Sequence, residues 1–90
     1  MKYRIVDLSC YSDDEIQNLE GGWYEDYDTG QVCYDFVDVH EFVDSLLFNI
    51  EEASSYEDYV DVNNAYKTAI ANLLERGYCE VNGFRYEVED

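Results

Sequence analysis

Three stretches of this 90-residue chain predict β-structure, two of them by alternation of apolar and polar positions. Residues 3–8 are rich in β-forming side chains and predict a first strand. Residues 23–37 alternate on both sides of an Asp-Thr-Gly segment, which predicts a β-hairpin. Residues 78–88 alternate around Asn82-Gly83, a pair that favours a two-residue type I′ turn, so they predict a second hairpin.

Two further stretches repeat with the period of an α-helix. In residues 39–53 the apolar side chains form one stripe, and Asp38 is placed to cap the helix. This stripe consists of Val39, Phe42, Val43, Leu46, Leu47 and Ile50. The stripe of the second helix consists of Val62, Tyr66, Ala69, Ile70, Leu73 and Leu74. Asp61 or Asn63 is predicted to cap the second helix, and Gly77 is predicted to end it.

A third, short helix is predicted near the N-terminus. Ser12 and Glu15 have the spacing of a capping box, and Gly21-Gly22 would end the helix, with a polar loop as the alternative. Together the elements predict an α+β fold: a small antiparallel sheet, built from the N-terminal strand and the two hairpins, packed with two amphipathic helices. With no repeat and no linker, residues 1–90 are expected to form a single domain.

The charge of the chain is far from that of an ordinary small domain. Twenty-two acidic residues against five basic ones give a formal net charge of −17. The bases are Lys2, Arg4, Lys67, Arg76 and Arg85, so residues 5–66 contain none. Carboxylates at this density repel one another in a compact chain, whereas solubility alone needs a net charge of magnitude of only about 2–8. The excess therefore indicates that the charge has a function.

The residue types that carry out catalysis or bind metals occur without a motif. His40 is the only histidine and lies among acids early in a helix, where a solvated or capping role is expected. Cys10, Cys33 and Cys79 have no paired spacing, so buried, structural cysteines in a reducing cytoplasm are expected. The segment that begins at Asp26 does not match an EF-hand loop, because Gln31 and Val37 stand where that loop needs Gly and Glu. No enzyme activity, cofactor or metal ion is therefore expected.

The surface chemistry predicts instead that the protein binds a basic protein. Side chains on one face of a strand or helix recur every ~6 Å, so carboxylates there come within about a factor of two of the phosphate spacing of DNA. Tyrosines among them could anchor the contact. The predicted contact acids are Glu25, Asp26, Asp28, Asp35 and Asp38 near the first hairpin, Asp44, Glu51 and Glu52 on the first long helix, and Glu57, Asp58 and Asp61 before the second. The predicted contact tyrosines are Tyr24, Tyr27, Tyr56 and Tyr59.

Direct binding to nucleic acid or to a membrane is not expected. An acidic surface is repelled by the phosphates of DNA and by anionic lipid headgroups. No stretch of the chain approaches the ~20 apolar residues of a membrane span, and no signal peptide is recognisable before the first strand.

In size, charge pattern and tyrosine content, the chain resembles the small acidic phage and mobile-element proteins that counter host defence by imitating DNA, including anti-CRISPR and anti-restriction proteins. The resemblance covers the full length. It implies a stoichiometric inhibitor that occupies the nucleic-acid channel of a Cas effector or restriction enzyme in the cytoplasm of a bacterial host. Two alternatives remain. One is an immunity protein or antitoxin that neutralises a basic nuclease, and the other is an acidic adaptor subunit that docks through an apolar face including Phe48.

Overall fold

The computed structural model describes residues 2–9, 11–53 and 59–89, and these residues form three helices and five strands. In chain order the elements are β1 (Lys2–Asp7), α1 (Asp13–Gln17), β2 (Tyr24–Asp26), β3 (Gln31–Phe36), α2 (Val39–Glu52), α3 (Tyr59–Arg76), β4 (Tyr78–Val81) and β5 (Phe84–Glu89). The predicted α+β fold, with its N-terminal strand, two hairpins and two long helices, is confirmed.

The five strands form one antiparallel sheet in the order β2-β3-β1-β5-β4. The N-terminal strand lies in the centre and joins the two hairpins, because Ile5 of β1 pairs with Tyr34 of β3 on one side and with Tyr86 of β5 on the other. Strands β2 and β4 are the edges of the sheet. Since successive side chains of a strand point to opposite faces, this register determines which residues share a face.

The hydrophobic core lies between one face of the sheet and the helices α2 and α3. Its buried centre consists of Ile5, Phe42, Leu46, Ile50, Ala69, Leu73, Cys79 and Tyr86. Phe42 of α2 packs edge-on against Phe36 and Tyr86 of the sheet, with ring centroids 5.7 and 5.4 Å away. Tilted and edge-on aromatic pairs stabilise a core beyond the effect of their buried area. These rings therefore anchor α2 over the middle of the sheet.

Helix α2 begins where its sequence pattern predicts. Asp38 caps it, because the Asp38 carboxylate accepts a hydrogen bond from the backbone N–H of His40 at 2.8 Å. On the inner side, the hydroxyl of the fully buried Tyr86 donates to the Ser45 carbonyl at 3.0 Å, and the Asn49 side-chain amide donates to that hydroxyl. These bonds attach α2 to β5 and determine which side of the helix faces solvent.

Helix α3 begins earlier than its sequence pattern predicts. Its first residue is Tyr59, so Asp61 lies in the first turn and Asn63 lies within the helix, and the prediction that either residue caps α3 was wrong. The predicted end is confirmed. Gly77 has a φ of 82° and donates to the carbonyl of Leu73 at 3.0 Å, as expected for a glycine that ends a helix in the left-handed conformation.

Leu74 is not part of the buried stripe, contrary to the prediction. Leu73 takes the core position, and the next side chain lies about 100° further round the helix. As a result Leu74 is 84% exposed. Together with Val39, which is also partly exposed, it borders an apolar cleft of about 370 Å³ between α2 and α3.

Two further local predictions, one for a turn and one for a helix cap, are confirmed. Asn82 and Gly83 have φ values of 52° and 80°, and a type I′ turn needs positive φ at both central positions. Ser12 caps α1, because its hydroxyl accepts a hydrogen bond from the backbone N–H of Glu15. However, α1 ends at Gln17, before the predicted glycine pair, and Asn18 is its C-terminal cap.

Candidate partner-binding surface

Three of the five basic residues lie on the sheet face opposite α2 and α3, called the second sheet face below. By the strand register these are Lys2, Arg4 and Arg85. Arg4 lies near the middle: its Nε donates to Oδ1 of Asp35 at 3.0 Å, and its guanidinium lies 3.8 Å from the carboxylate of Asp26. Two of the predicted contact acids are therefore already paired with a base of the same chain.

The other arginine of the second sheet face is held in a similar way. The guanidinium of Arg85 lies 4.1 Å from the ring centroid of Tyr78, and its Nε lies 2.9 Å from the carboxylate of Glu87. Tyr24 donates its hydroxyl to Asp35 at 3.0 Å, and burial together with this hydrogen bond raises the pKa of Tyr24 to about 12. Both arginines of the second sheet face are thus paired with carboxylates of the same chain.

The turn of the first hairpin presents a tyrosine and one free carboxylate. Tyr27 is 93% exposed, and Asp28 beside it is exposed as well. The backbone N–H of Asp28 donates to Oδ1 of Asp26 at 2.9 Å, which holds the turn. Glu25 points to the opposite face from Asp26 and is half-buried. Asp26 and Asp35 pair with Arg4, and Asp38 caps α2. Among the described residues, Asp28 is therefore the predicted hairpin acid that is exposed and has neither of these roles.

The outer side of α2 carries a cluster of exposed carboxylates around one aromatic side chain. Four carboxylates lie within about 60° of Phe48 around the helix axis, at about 100° per residue. This surface, called the α2 outer face below, consists of Glu41, Asp44, Phe48, Glu51 and Glu52, all of which are exposed. The helix contains no Lys or Arg, and its one histidine, His40, is exposed.

The α2 outer face has within about a factor of two the charge density of one DNA strand but not its regularity. From Glu41 to Glu52 the helix rises ~16 Å, so its four charges have a mean spacing of ~5.5 Å, against ~3.4 Å of rise per phosphate in one DNA strand. The longest gap, about 10 Å between Asp44 and Glu51, contains Phe48. The Phe48 side chain is 60% exposed. An exposed aromatic ring bordered by polar groups has the composition of a protein-binding surface.

The remaining predicted contact residues lie apart from the α2 outer face or outside the described residues. Asp61 is exposed in the first turn of α3, where it lines a groove beside β4. Tyr56, Glu57 and Asp58 lie outside the described residues, as does the side chain of Tyr59. The predicted contact set is therefore divided between several surfaces, and only its three α2 members lie together on one helix face.

The sequence-based contact set omits Glu41 and gives Phe48 a role only in the adaptor alternative. Glu41 precedes Asp44 by three residues, and Phe48 follows Asp44 by four. Helical residues three and four apart lie on the same side, so this spacing was the available signal. The signal was hidden because acids occur throughout the chain and no single helix face stood out by charge alone.

The cysteines and the histidine show no catalytic arrangement within the described residues. Cys33 and Cys79 are buried, as predicted, and burial raises the pKa of both thiols, that of Cys79 to about 11. Such thiols stay protonated and weakly nucleophilic near neutral pH. His40 is exposed, and Cys10 lies outside the described residues.

In the described part of the chain, no three His, Cys, Asp or Glu side chains are grouped so that they could hold a metal ion. None of its helices is long and apolar enough to cross a bilayer.

Comparisons with models of protein families, with curated proteins and with solved structures found no match to this chain. The resemblance to acidic inhibitors that imitate DNA therefore stays a prediction. The function has to be inferred from the residues of the surface and their geometry.

Proposed function

We propose that this protein is a stoichiometric inhibitor of a basic nucleic-acid-binding protein and that it binds its target through the α2 outer face. The carboxylates of this face occupy positions on the target that otherwise hold phosphates. A host defence effector, such as a Cas complex or a restriction enzyme, is the proposed class of target, since the chain resembles inhibitors of such effectors in size and charge. The protein acts by binding and not by catalysis.

The uneven placement of charge is the observation that supports this proposal most. Arg4 and Arg85 lie on the second sheet face, where each pairs with a carboxylate, while α2 contains no Lys or Arg. Unpaired acids destabilise the compact chain by mutual repulsion, and a basic partner relieves that repulsion. The α2 outer face is thus a surface on which bound cationic groups do not compete with Arg4 and Arg85.

The proposal has a measurable energetic scale. The net charge of −17 attracts a basic partner over long distances and accelerates association in a salt-dependent way. Each exposed ion pair in direct contact contributes up to about 1 kcal/mol. Neutralising three contacting carboxylates should therefore weaken binding by about 1.5–3 kcal/mol, or roughly 10- to 100-fold. Neutralising three distant carboxylates changes the long-range attraction alone.

The chain offers a matched pair of variants that separate these two effects. The outer-face variant is Asp44→Asn/Glu51→Gln/Glu52→Gln, and the control variant is Asp14→Asn/Glu20→Gln/Glu75→Gln. All six side chains are exposed, and each variant replaces one aspartate and two glutamates. Both therefore change the formal net charge from −17 to −14.

Affinity capture from bacterial lysates that contain CRISPR and restriction systems tests the proposal. The immobilised protein is expected to retain a nucleic-acid-binding effector, which a salt gradient or added duplex DNA then releases. The control variant should retain the same effector, and the outer-face variant should lose most of it. A partner that resists salt and ignores duplex DNA would contradict the proposal.

A second candidate function, an acidic adaptor subunit, is favoured by Phe48. An aromatic side chain that is 60% exposed at the centre of a helix face is suited to fill a pocket on a partner. If the adaptor function is correct, Phe48→Ser abolishes binding, while salt and the outer-face variant change it little. If the inhibitor function is correct, both Phe48→Ser and the outer-face variant weaken binding, and salt weakens it as well.

A further inference from the structure

Strand β4 forms an edge of the sheet and leaves backbone groups unpaired. It is bonded to β5 on one side, and no strand of the described residues lies on its other side. Hydrogen-bonded and non-hydrogen-bonded pairs alternate along an antiparallel ladder. Val88 donates to the carbonyl of Gly77 at 2.8 Å, so the pairs at Gly77, Cys79 and Val81 are the hydrogen-bonded ones. The N–H and C=O groups of Tyr78 and Glu80 therefore point away from the sheet.

A groove runs along this edge, between β4 and α3. Its volume is about 480 Å³. Polar side chains from successive turns of α3 line one wall, namely Asp61, Asn64, Thr68 and Asn72, and Cys79, Glu80 and Val81 of β4 line the other. From Asp61 to Asn72 the helix rises ~16 Å, which matches about five residues of extended chain at ~3.4 Å each.

The charge of the groove determines what kind of chain fits it. Asp61 and Glu80 are the charged residues of the lining, and no base is among the described residues that line it. Asp61 supplies the carboxylate on the helix side, because Glu80 lies opposite Arg85 in the register and directs its side chain to the second sheet face. A second copy of this protein could in principle pair its own β4 here, but two chains of net charge −17 repel each other. A segment that carries lysine or arginine is attracted to the same groove.

We propose that the α3–β4 groove binds an extended segment of a partner protein, which adds to β4 as a sixth strand. The segment bonds to the backbone groups of Tyr78 and Glu80 and directs lysine or arginine side chains towards Asp61 of α3. Addition of a strand to an exposed sheet edge is an established way of recognising peptides, in which the backbone supplies the affinity. The α2 outer face takes no part, so this binding mode stands apart from the proposed inhibition.

Two variants at one position separate backbone pairing from charge. Glu80→Pro removes the N–H that points away from the sheet. Proline is tolerated at such a position of an edge strand, because that N–H makes no bond within the sheet. Glu80→Gln removes the same charge and keeps the N–H, so it is the matched control. Circular dichroism establishes that both variants fold.

The probe is the peptide acetyl-Thr-Lys-Val-Lys-Val-Thr-amide, titrated into ¹⁵N-labelled protein at roughly 0.15 M NaCl. We expect the amide signals of Tyr78 and Glu80 to shift and to saturate. Affinity for Glu80→Gln should stay within about threefold of the wild type, and Glu80→Pro should weaken binding roughly tenfold, the effect of one lost hydrogen bond. The same peptide with methylated central amide nitrogens should not bind in the groove.

Other outcomes would overturn the inference. These are equal affinities for Glu80→Pro and Glu80→Gln, equal binding of the methylated peptide, or no saturable shift at about 1 mM peptide. If Glu80→Pro does not fold, the two peptides decide the question on the wild-type protein. The outer-face variant should bind the peptide as tightly as its control variant does, so failure of the groove and failure of the proposed inhibition are distinguishable.

Discussion

Replacement of Tyr86 by phenylalanine tests how α2 is held on the sheet. The Tyr86 hydroxyl accepts a hydrogen bond from the Asn49 side chain and donates one to the Ser45 carbonyl. Tyr86 is 0% exposed and Asn49 is 8% exposed, so water cannot easily replace the lost partner. A buried donor left without an acceptor costs about 1–3 kcal/mol.

We therefore expect Tyr86→Phe to lower the free energy of unfolding by about 1–3 kcal/mol, which lowers the Tm by about 4–24 °C in a domain of this size. Urea unfolding followed by circular dichroism measures the free energy, and a thermal scan measures the Tm. The control is Tyr27→Phe, which removes the same hydroxyl from a side chain that is 93% exposed. It should change the free energy of unfolding by less than about 0.5 kcal/mol.

A double-mutant cycle makes this prediction stricter. The double variant Tyr86→Phe/Asn49→Leu replaces both partners of the Asn49–Tyr86 hydrogen bond, so the buried Asn49 amide is no longer present without an acceptor. We expect the double variant to be at least about 1 kcal/mol more stable than the sum of the single effects implies. Additive effects, or a Tyr86→Phe variant as stable as the wild type, would refute the role given to this hydrogen-bond network.

Three further predictions concern the repulsion between carboxylates, the raised pKa values of Cys79 and Tyr24, and the turn at Gly83. Because the carboxylates repel one another, raising NaCl from about 0.01 to 1 M should raise the Tm measured by calorimetry, and a falling Tm would contradict this. Burial raises the pKa of Cys79 to about 11 and contributes to a pKa of about 12 for Tyr24, so the unfolded chain loses these protons first. The contribution of these two groups to the free energy of unfolding should therefore be constant below about pH 9 and fall as the pH rises towards 12, which urea titrations at successive alkaline pH values measure. Gly83→Ala places a side chain at a φ of 80° and should lower the free energy of unfolding by about 1–2 kcal/mol, whereas an unchanged value would show that the type I′ turn is not required.

Much of the fold could be predicted from local patterns because those patterns act over a few residues. Asn82-Gly83 forms its type I′ turn, and Asp38 caps α2, since each depends on its immediate neighbours alone. The start of α3 was wrong because a capping residue was sought at Asp61 and Asn63, whereas the helix begins at Tyr59. Acidic residues are favourable within a first helical turn as well as before it, so the pattern could not separate the two positions.

The candidate surface was harder to predict because it depends on contacts between distant parts of the chain. Arg4 lies outside the long stretch of sequence without bases, yet the pairing of β1 with β3 brings it to Asp35, 31 residues away. A count of charges along the sequence could not reveal this neutralisation. The same count could not show that Arg4 and Arg85 lie on the second sheet face and not beside Asp44 and Glu51, because the strand order that places the arginines there is not a local property.

Displacement of DNA from the captured effector is the most direct test of the α2 outer face as the inhibitory surface. A fluorescently labelled duplex is bound to the effector, and the concentration of this protein that releases half of it is measured by fluorescence polarisation for the wild type and the two charge variants. We expect the outer-face variant to need roughly 10- to 100-fold more protein than the wild type, and the control variant to need no more than about threefold more. Equal effects of the two variants would mean that net charge alone is responsible, and no release of DNA by the wild type would contradict inhibition by occupation of the nucleic-acid site.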